Sequence, residues 1–203
     1  MARKGLTKES IIACAMDILK KNGIEGVTLA AIAKELGIQP PSLYNHISGL
    51  TEIKDMIAFE GLNQLLAALE SAVKNRDGDE AILSFSYAYM KFVEINPYLY
   101  EVTIIPPSTN EEAKTVSNKI VAIGYSLFKE YLLDEQEVIH ALRGLRSILH
   151  GFSTIKENEG FGLPVDLYES FDYSIHAYLR GLKERRRSLT RKNISDNIIS
   201  NLK

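Results

Sequence analysis

The chain has 203 residues, 45% of them hydrophobic, which is enough to bury a core. No run approaches the roughly eighteen uninterrupted apolar residues of a spanning helix, and the charged N-terminus MARKGLTKES has no apolar stretch behind it to act as a signal peptide, so no membrane segment is expected and the protein is expected in the cytoplasm. The net charge of −2 is unevenly spread: residues 1–48 carry six basic against four acidic side chains, residues 49–182 eleven against twenty, and the last twenty-one residues seven against two, so that an acidic body lies between two basic ends and only the ends favour phosphate.

Strand signals are absent, because no sustained two-residue alternation occurs and no Asn-Gly or Asp-Gly sits between β-branched runs; the expected class is all-α, with about nine helices. Thr7 reads as the N-cap of a first helix carrying Ile11, Ile12, Ala15, Ile18 and Leu19 at three- and four-residue spacing, with its stop at Asn22-Gly23. A short second helix follows Thr28, with Leu29, Ile32, Ala33 and Leu36 on one side and Gly37 at its end. A third begins at Gln39-Pro40-Pro41, where proline at the first helical positions costs no hydrogen bond, and ends near His46-Ile47. After Ser48-Gly49 a long fourth helix runs to about Asn75. The loop RDGD precedes a helix over about 80–95, a short one near 98–104, and a break at Ile105-Pro106-Pro107. Helices near 109–132 and 134–157, a Gly-bearing loop NEGFGLP and a helix over about 165–184 complete the series, and the tail from Arg185 is basic and frayed or weakly helical. The expected domains are therefore 1–48, 49–184 and a tail, 185–203.

Three helices within 48 residues, the second and third short and joined by a tight turn at Gly37, have the length and order of a helix-turn-helix, in which the last helix enters the major groove of DNA. Three-residue spacing points Gln39, Ser42 and Asn45 the same way, as short polar groups able to hydrogen-bond base edges. Tyr44, His46 and the cap hydroxyl of Thr28 suit phosphate contacts, while Ile32, Leu36, Ile38, Leu43 and Ile47 would hold the module together. An ordinary helical subdomain with an exposed Tyr and His is the competing reading of the same spacing.

The segment IIACAMDILKKNGIEGVTLAAIAKELGIQPPSLYNHISGLTEIKDMI resembles the N-terminal domain of the TetR family of repressors: an apolar first helix, a G-x-x-x-x-T turn, A-x-x-x-G-V, and an L-Y-x-H recognition helix. The resemblance implies a two-fold homodimer of all-helical subunits on a pseudo-palindromic operator, released by a small-molecule effector. It assigns Gln39, Pro40, Pro41, Ser42 and Asn45 to base-facing positions and Thr28, Tyr44 and His46 to backbone-contacting ones. Two positions depart from the family pattern. Ala30 stands where tetracycline repressors have a base-reading arginine, and Leu50 where the family usually opens the fourth helix with lysine, leaving Lys54, one turn on, as the candidate phosphate contact.

Farther along, LRGLRSILHGFSTIKENEGFGLPVDLYESFDYSIHAYLRGL resembles the C-terminal domain of one TetR subgroup, marked by a His-Gly pair in the penultimate helix. Leu142, Leu145, Leu149 and Phe152 on one helix, and Phe171, Ile175, Tyr178 and Leu182 on the next, are the candidates for a four-helix dimer interface, unless they serve the subunit's own core. Aromatic residues Phe85, Tyr89, Phe92, Tyr98, Tyr100, Tyr125 and Phe128 are candidates for an effector pocket or for plain core, with residues 104–107 as a candidate rim.

Against these stands a helical enzyme or metalloprotein. His140 and His150, ten apart on one helix, lie about 15 Å apart in rise, too far for one ion, and Cys14 alone makes no cysteine cluster. H-E-x-x-H, P-loop, nucleophile-elbow and G-x-G-x-x-G patterns are missing, so no catalytic residue, metal or cofactor is expected. A helix-turn-helix scaffold that binds only protein stays open, since fold does not fix function.

Overall fold

The computed structural model describes residues 6–104 and 110–201, with side chains as far as Arg185. The expected break at Ile105-Pro106-Pro107, with most of the candidate rim, lies outside the described residues, as do the side chains of the basic tail beyond Arg185. Among the described residues there is no strand, and the elements are eight α-helices and two 3-10 turns. In chain order these are α1 (Lys8–Gly26), α2 (Leu29–Leu36), a 3-10 turn (Pro40–Asn45), α3 (Leu50–Val73), α4 (Gly78–Ile95), α5 (Pro97–Thr103), α6 (Glu111–Ser126), a 3-10 turn (Lys129–Tyr131), α7 (Glu135–Glu157) and α8 (Leu167–Asn201). None of these helices, over the described residues, is long and apolar enough to cross a membrane. The chain forms two compact units, Met1–Ala68 with Phe92–Ile120 and Leu69–Lys91 with Val121–Lys203.

In the first unit Thr7 caps α1 by accepting from the Ser10 N–H at 3.2 Å while the Ser10 hydroxyl serves the Thr7 backbone, which satisfies two otherwise orphaned donors. The helix proper ends where the sequence stops it, because Gly23 takes φ 67°, and one further turn carries the chain to Gly26. Ile11, Ala15 and Leu19 of α1, Val27, Ile32 of α2, Leu43 and the α3 residues Ile53 and Ile57 are buried together as the apolar core of the unit. The ring of Tyr98, on α5, lies 3.6 Å from where a Cβ on Gly23 would stand, and Leu99 and Thr103 lie 3.0 and 2.7 Å from the corresponding position on Gly61 of α3. Helix α5 thus rests on α1 and on α3 through two glycines.

In the second unit α7 and α8 run antiparallel, the Tyr178 hydroxyl donating to the Ala141 carbonyl at 2.6 Å near one end and the Phe152 and Phe171 rings meeting edge-on at 5.3 Å near the other. Leu145, Leu149, Phe171 and Ile175 are fully buried inside this chain, so four of the eight interface candidates hold α7 and α8 to their own subunit and present no outer surface. Leu142, Phe152, Tyr178 and Leu182 are half-buried. Asp79, at the start of α4, accepts from the buried Tyr131 hydroxyl at 2.5 Å and pairs with Lys183; burial first, and Asp79 second, push the Tyr131 phenol well above its ordinary titration range. The last helix continues to Asn201, past the end expected near 184, because no Gly or Pro follows Gly181 and Lys, Glu, Arg and Leu are good helix formers.

Candidate nucleic-acid interface

Between α2 and the recognition segment the chain makes a tight turn. Gly37 adopts φ 66° at the C-cap of α2, and the Ile38 N–H reaches back to the Ala33 carbonyl at 3.0 Å, which satisfies a carbonyl that the helix end leaves open. At the other end of α2 the Thr28 hydroxyl accepts from the Ala31 N–H at 3.1 Å and is itself exposed. The candidate recognition segment then differs from the expected α-helix: Pro40–Asn45 is a 3-10 turn, because neither Pro40 nor Pro41 has an N–H to donate and only six residues separate Gln39 from His46. At three residues per turn, Ser42 and Asn45 share one edge, and Gln39 stands just before the turn as its extended N-cap residue.

Leu43, fully buried, and Ile47, nearly so, pin that segment to the core, and the Ser42, His46 and Ile47 N–H groups donate to the Gln39 and Leu43 carbonyls at 2.9 to 3.1 Å. Gln39, Pro40, Pro41 and Asn45 are exposed, Ser42 and His46 half-buried, and Tyr44 stands 57% exposed on a different edge from Asn45. Of the other residues expected to brace the module, Ile32 is buried and Leu36 and Ile38 are half-buried. Ala30 is exposed on α2 and offers no hydrogen bond. At the start of α3, Leu50 and Lys54 are both half-buried.

A tie that the sequence does not reveal closes the module. The Glu52 carboxylate accepts from the Ser48 N–H at 2.6 Å and the Ser48 hydroxyl at 2.8 Å, and it pairs with Lys8 at the start of α1. The Lys8 ammonium first, and the two Ser48 donors after it, hold the Glu52 carboxyl down at about 2. Ser48 directly follows Ile47, so this carboxylate joins the end of the recognition segment to the first helix. Its partner is 44 residues away, beyond the reach of any local spacing rule, and it lies one residue past the S-x-x-E capping pattern that would have flagged it.

Of the seven aromatic pocket candidates, Phe92, Tyr98 and Tyr100 belong to the first compact unit, and Phe85, Tyr89, Tyr125 and Phe128 to the second. Five of them are buried, while Tyr98 and Tyr125 are exposed. A cleft of about 290 Å³ in the first unit, floored by Lys8, Glu52 and Asp55, is lined by none of the seven. Among the described residues no group of three His, Cys, Asp or Glu is placed to hold a metal ion.

Residues 11–48 match the model for bacterial regulatory proteins of the tetR family, and residues 82–178 match a tetracyclin repressor-like C-terminal domain. The chain is 40% identical to an uncharacterized HTH-type transcriptional regulator of Bacillus subtilis, YobS, over 89% of this chain and 94% of that protein. It is also 40% identical to the class D tetracycline repressor protein of Escherichia coli, over 30% of this chain and 27% of the repressor. Among solved structures, a TetR variant of Acinetobacter baumannii in complex with minocycline has the same fold, with a TM-score of 0.66 and 16% identity over 90% of this chain and 99% of that one.

Proposed function

The chain belongs to the tetR family of bacterial regulatory proteins, and from that premise we propose that it is a homodimeric repressor whose base-reading residues are Gln39, Ser42 and Asn45 and which a small molecule releases from its operator. It is a DNA-binding transcriptional regulator. The observation that carries the finer reading is the recognition segment itself: Ser42 and Asn45 share one edge of a 3-10 turn that exposed Gln39 leads into, and buried Leu43 anchors the turn to the core. Bidentate or single hydrogen bonds from such an edge read bases, with Pro40 and Pro41 giving apolar contact. Tyr44, exposed on another edge, together with Thr28, His46 and Lys54, takes the phosphate contacts that set register. The absence of a hydrogen-bonding side chain at Ala30 means that bases read from α2 in tetracycline repressors go unread here, so the operator differs.

Dimerisation is assigned to the outer face of α7 and α8. Gly151 and Gly181 there have open space where a Cβ would stand, and Tyr173 is 71% exposed. The effector is assigned to the moderately apolar class, in keeping with minocycline bound to the Acinetobacter protein. Its binding is transmitted by α5, which touches α1 at Gly23 and α3 at Gly61, so a change in its seat changes the spacing of the DNA-reading modules.

The test is selection of bound sequences from a random DNA pool with the wild type and two variants. Tyr44→Ala is expected to weaken binding about equally on all sequences, and Asn45→Ala to relax preference at one position of each half-site, at about 1–3 kcal/mol. Uniform loss for both variants would remove the assigned roles. Binding that does not weaken as salt rises would favour a scaffold acting only on proteins.

A further inference from the structure

We infer that the connector between α7 and α8, residues 158–166, is a docking arm that seats on the arginine-bearing end of the α7–α8 pair of a second copy of this chain. The inference rests on the dimer reading above and specifies its register. Every residue from 157 to 166 is exposed, yet the connector is tied to itself and to both helices by hydrogen bonds and a ring contact. The Gly160 N–H donates to the Ile155 carbonyl at 2.8 Å, the Val165 N–H to the Leu163 carbonyl at 2.8 Å, and Asp166 caps α8 by accepting from the Glu169 N–H at 2.9 Å. Phe161 stacks on Phe152 with centroids 5.4 Å apart and an interplanar angle of 28°, which pins the connector to α7. From this braced base Leu163, 82% exposed, and Val165, 64% exposed, are turned to solvent. Two large aliphatic side chains left exposed two residues apart on a hydrogen-bonded loop mark a contact surface.

Charge decides what covers it. Glu157 and Glu169 flank the connector and Glu159 lies within it, and none has an ion-pair partner among the described residues. At the other end of the same two helices Arg143, Arg146 and Arg180 are exposed and equally unpartnered. Within one chain residue 141 faces 178 and residue 152 faces 171, so residue 150 of α7 lies beside residues 172 and 173 of α8, next to the open Gly151 and the exposed Tyr173. A two-fold axis placed at that open point, toward the connector end of α7, sets the helices of two copies antiparallel. Arg143 of one copy then falls at Glu157 of the other, Arg180 falls at the connector and Glu169, and the exposed Tyr173 and the open Gly151 lie at the centre. A partner of uniform charge matches only one end, and a parallel copy sets arginine against arginine. A second copy turned end for end satisfies both ends at once and covers Leu163 and Val165.

Sedimentation equilibrium of the full chain tests this. The variant Leu163→Ser/Val165→Ser changes only exposed side chains, so its circular dichroism and melting as a monomer are expected to match the wild type, while its dimer Kd rises about tenfold or more. Arg143→Glu/Arg180→Glu and Glu157→Arg/Glu169→Arg are each expected to raise the Kd by at least about threefold, and combining all four substitutions to bring it back to within about threefold of the wild type. An unchanged Kd in the serine variant, or no recovery in the fourfold variant, overturns the arm while leaving a dimer of another register. A wild type that stays monomeric throughout overturns the dimer reading and the arm with it.

Discussion

Glu52, two residues past Leu50 where the family's usual lysine is missing, puts its charge into an internal tie to Lys8 and Ser48. Its carboxylate, held at about 2 by Lys8 and the Ser48 donors against an ordinary value of 4.5, favours the folded module wherever it is ionised. Because the folded value is the lower one, this contribution is present in full above the ordinary value and is lost as pH falls from there toward 2. The variant Glu52→Gln is therefore expected to be less stable than the wild type near neutral pH, with the difference shrinking to nothing as acid protonates the wild-type carboxyl; denaturant titrations at a series of pH values measure it, and a difference independent of pH would remove the ionic tie. At the same scale the roles proposed for Asn45 and Tyr44 follow from side chains visible in the sequence, whereas Lys8 and Glu52 meet only after α1 and α3 have packed. Lys54 is half-buried, so its reach to phosphate depends on an extended rotamer.

Among the elements, α5 has seven residues and is the one to which the proposed coupling is assigned. Its seat on α3 exists because Gly61 has no side chain: a Cβ would lie 2.7 Å from the Thr103 Cγ2 and 3.0 Å from Leu99, nearer than packed carbons approach. Thr103 is β-branched and stiff, so the helix, and not merely a rotamer, must give way. Gly61→Ala is expected to lower stability by about 1–3 kcal/mol and to weaken operator binding without touching a DNA-facing residue; thermal melts and fluorescence titration with operator DNA check the two effects, and unaltered DNA affinity would take α5 out of the coupling route. The existence of α5 was legible from Asn96-Pro97, but its partners were not, since no periodicity in seven residues names the glycine it lies on. The recognition segment shows the opposite balance. Its two prolines announced a helix start, and the same prolines, by withholding two N–H groups, made the turn 3-10 in place of α. The last helix also outran its expected end, because local propensity continued where the apolar stripe stopped.

For the whole molecule, the basic residues 1–48 precede a strongly acidic stretch over 49–182, which favours phosphate contact through the helix-turn-helix, and in the proposed dimer two such modules would read two half-sites with one spacing. Inserting about five base pairs, half a helical turn, between the half-sites is expected to reduce affinity to that of a single half-site, which gel-shift titration would detect; full affinity for the lengthened site would mean that the units bind independently. Local spacing, capping and backbone chemistry are enough to read off the all-α class, the helix-turn-helix with its Gly37 turn and proline-started recognition segment, and the family. How the apolar stripes divide between core and surface came only from packing. Leu145, Leu149, Phe171 and Ile175 have the spacing of an interface but lie inside the subunit, and Leu163 and Val165, in a loop with no periodicity, are the ones left in solvent. A stripe tells which face of a helix avoids water; which neighbour covers that face is settled by packing among residues far apart in the chain.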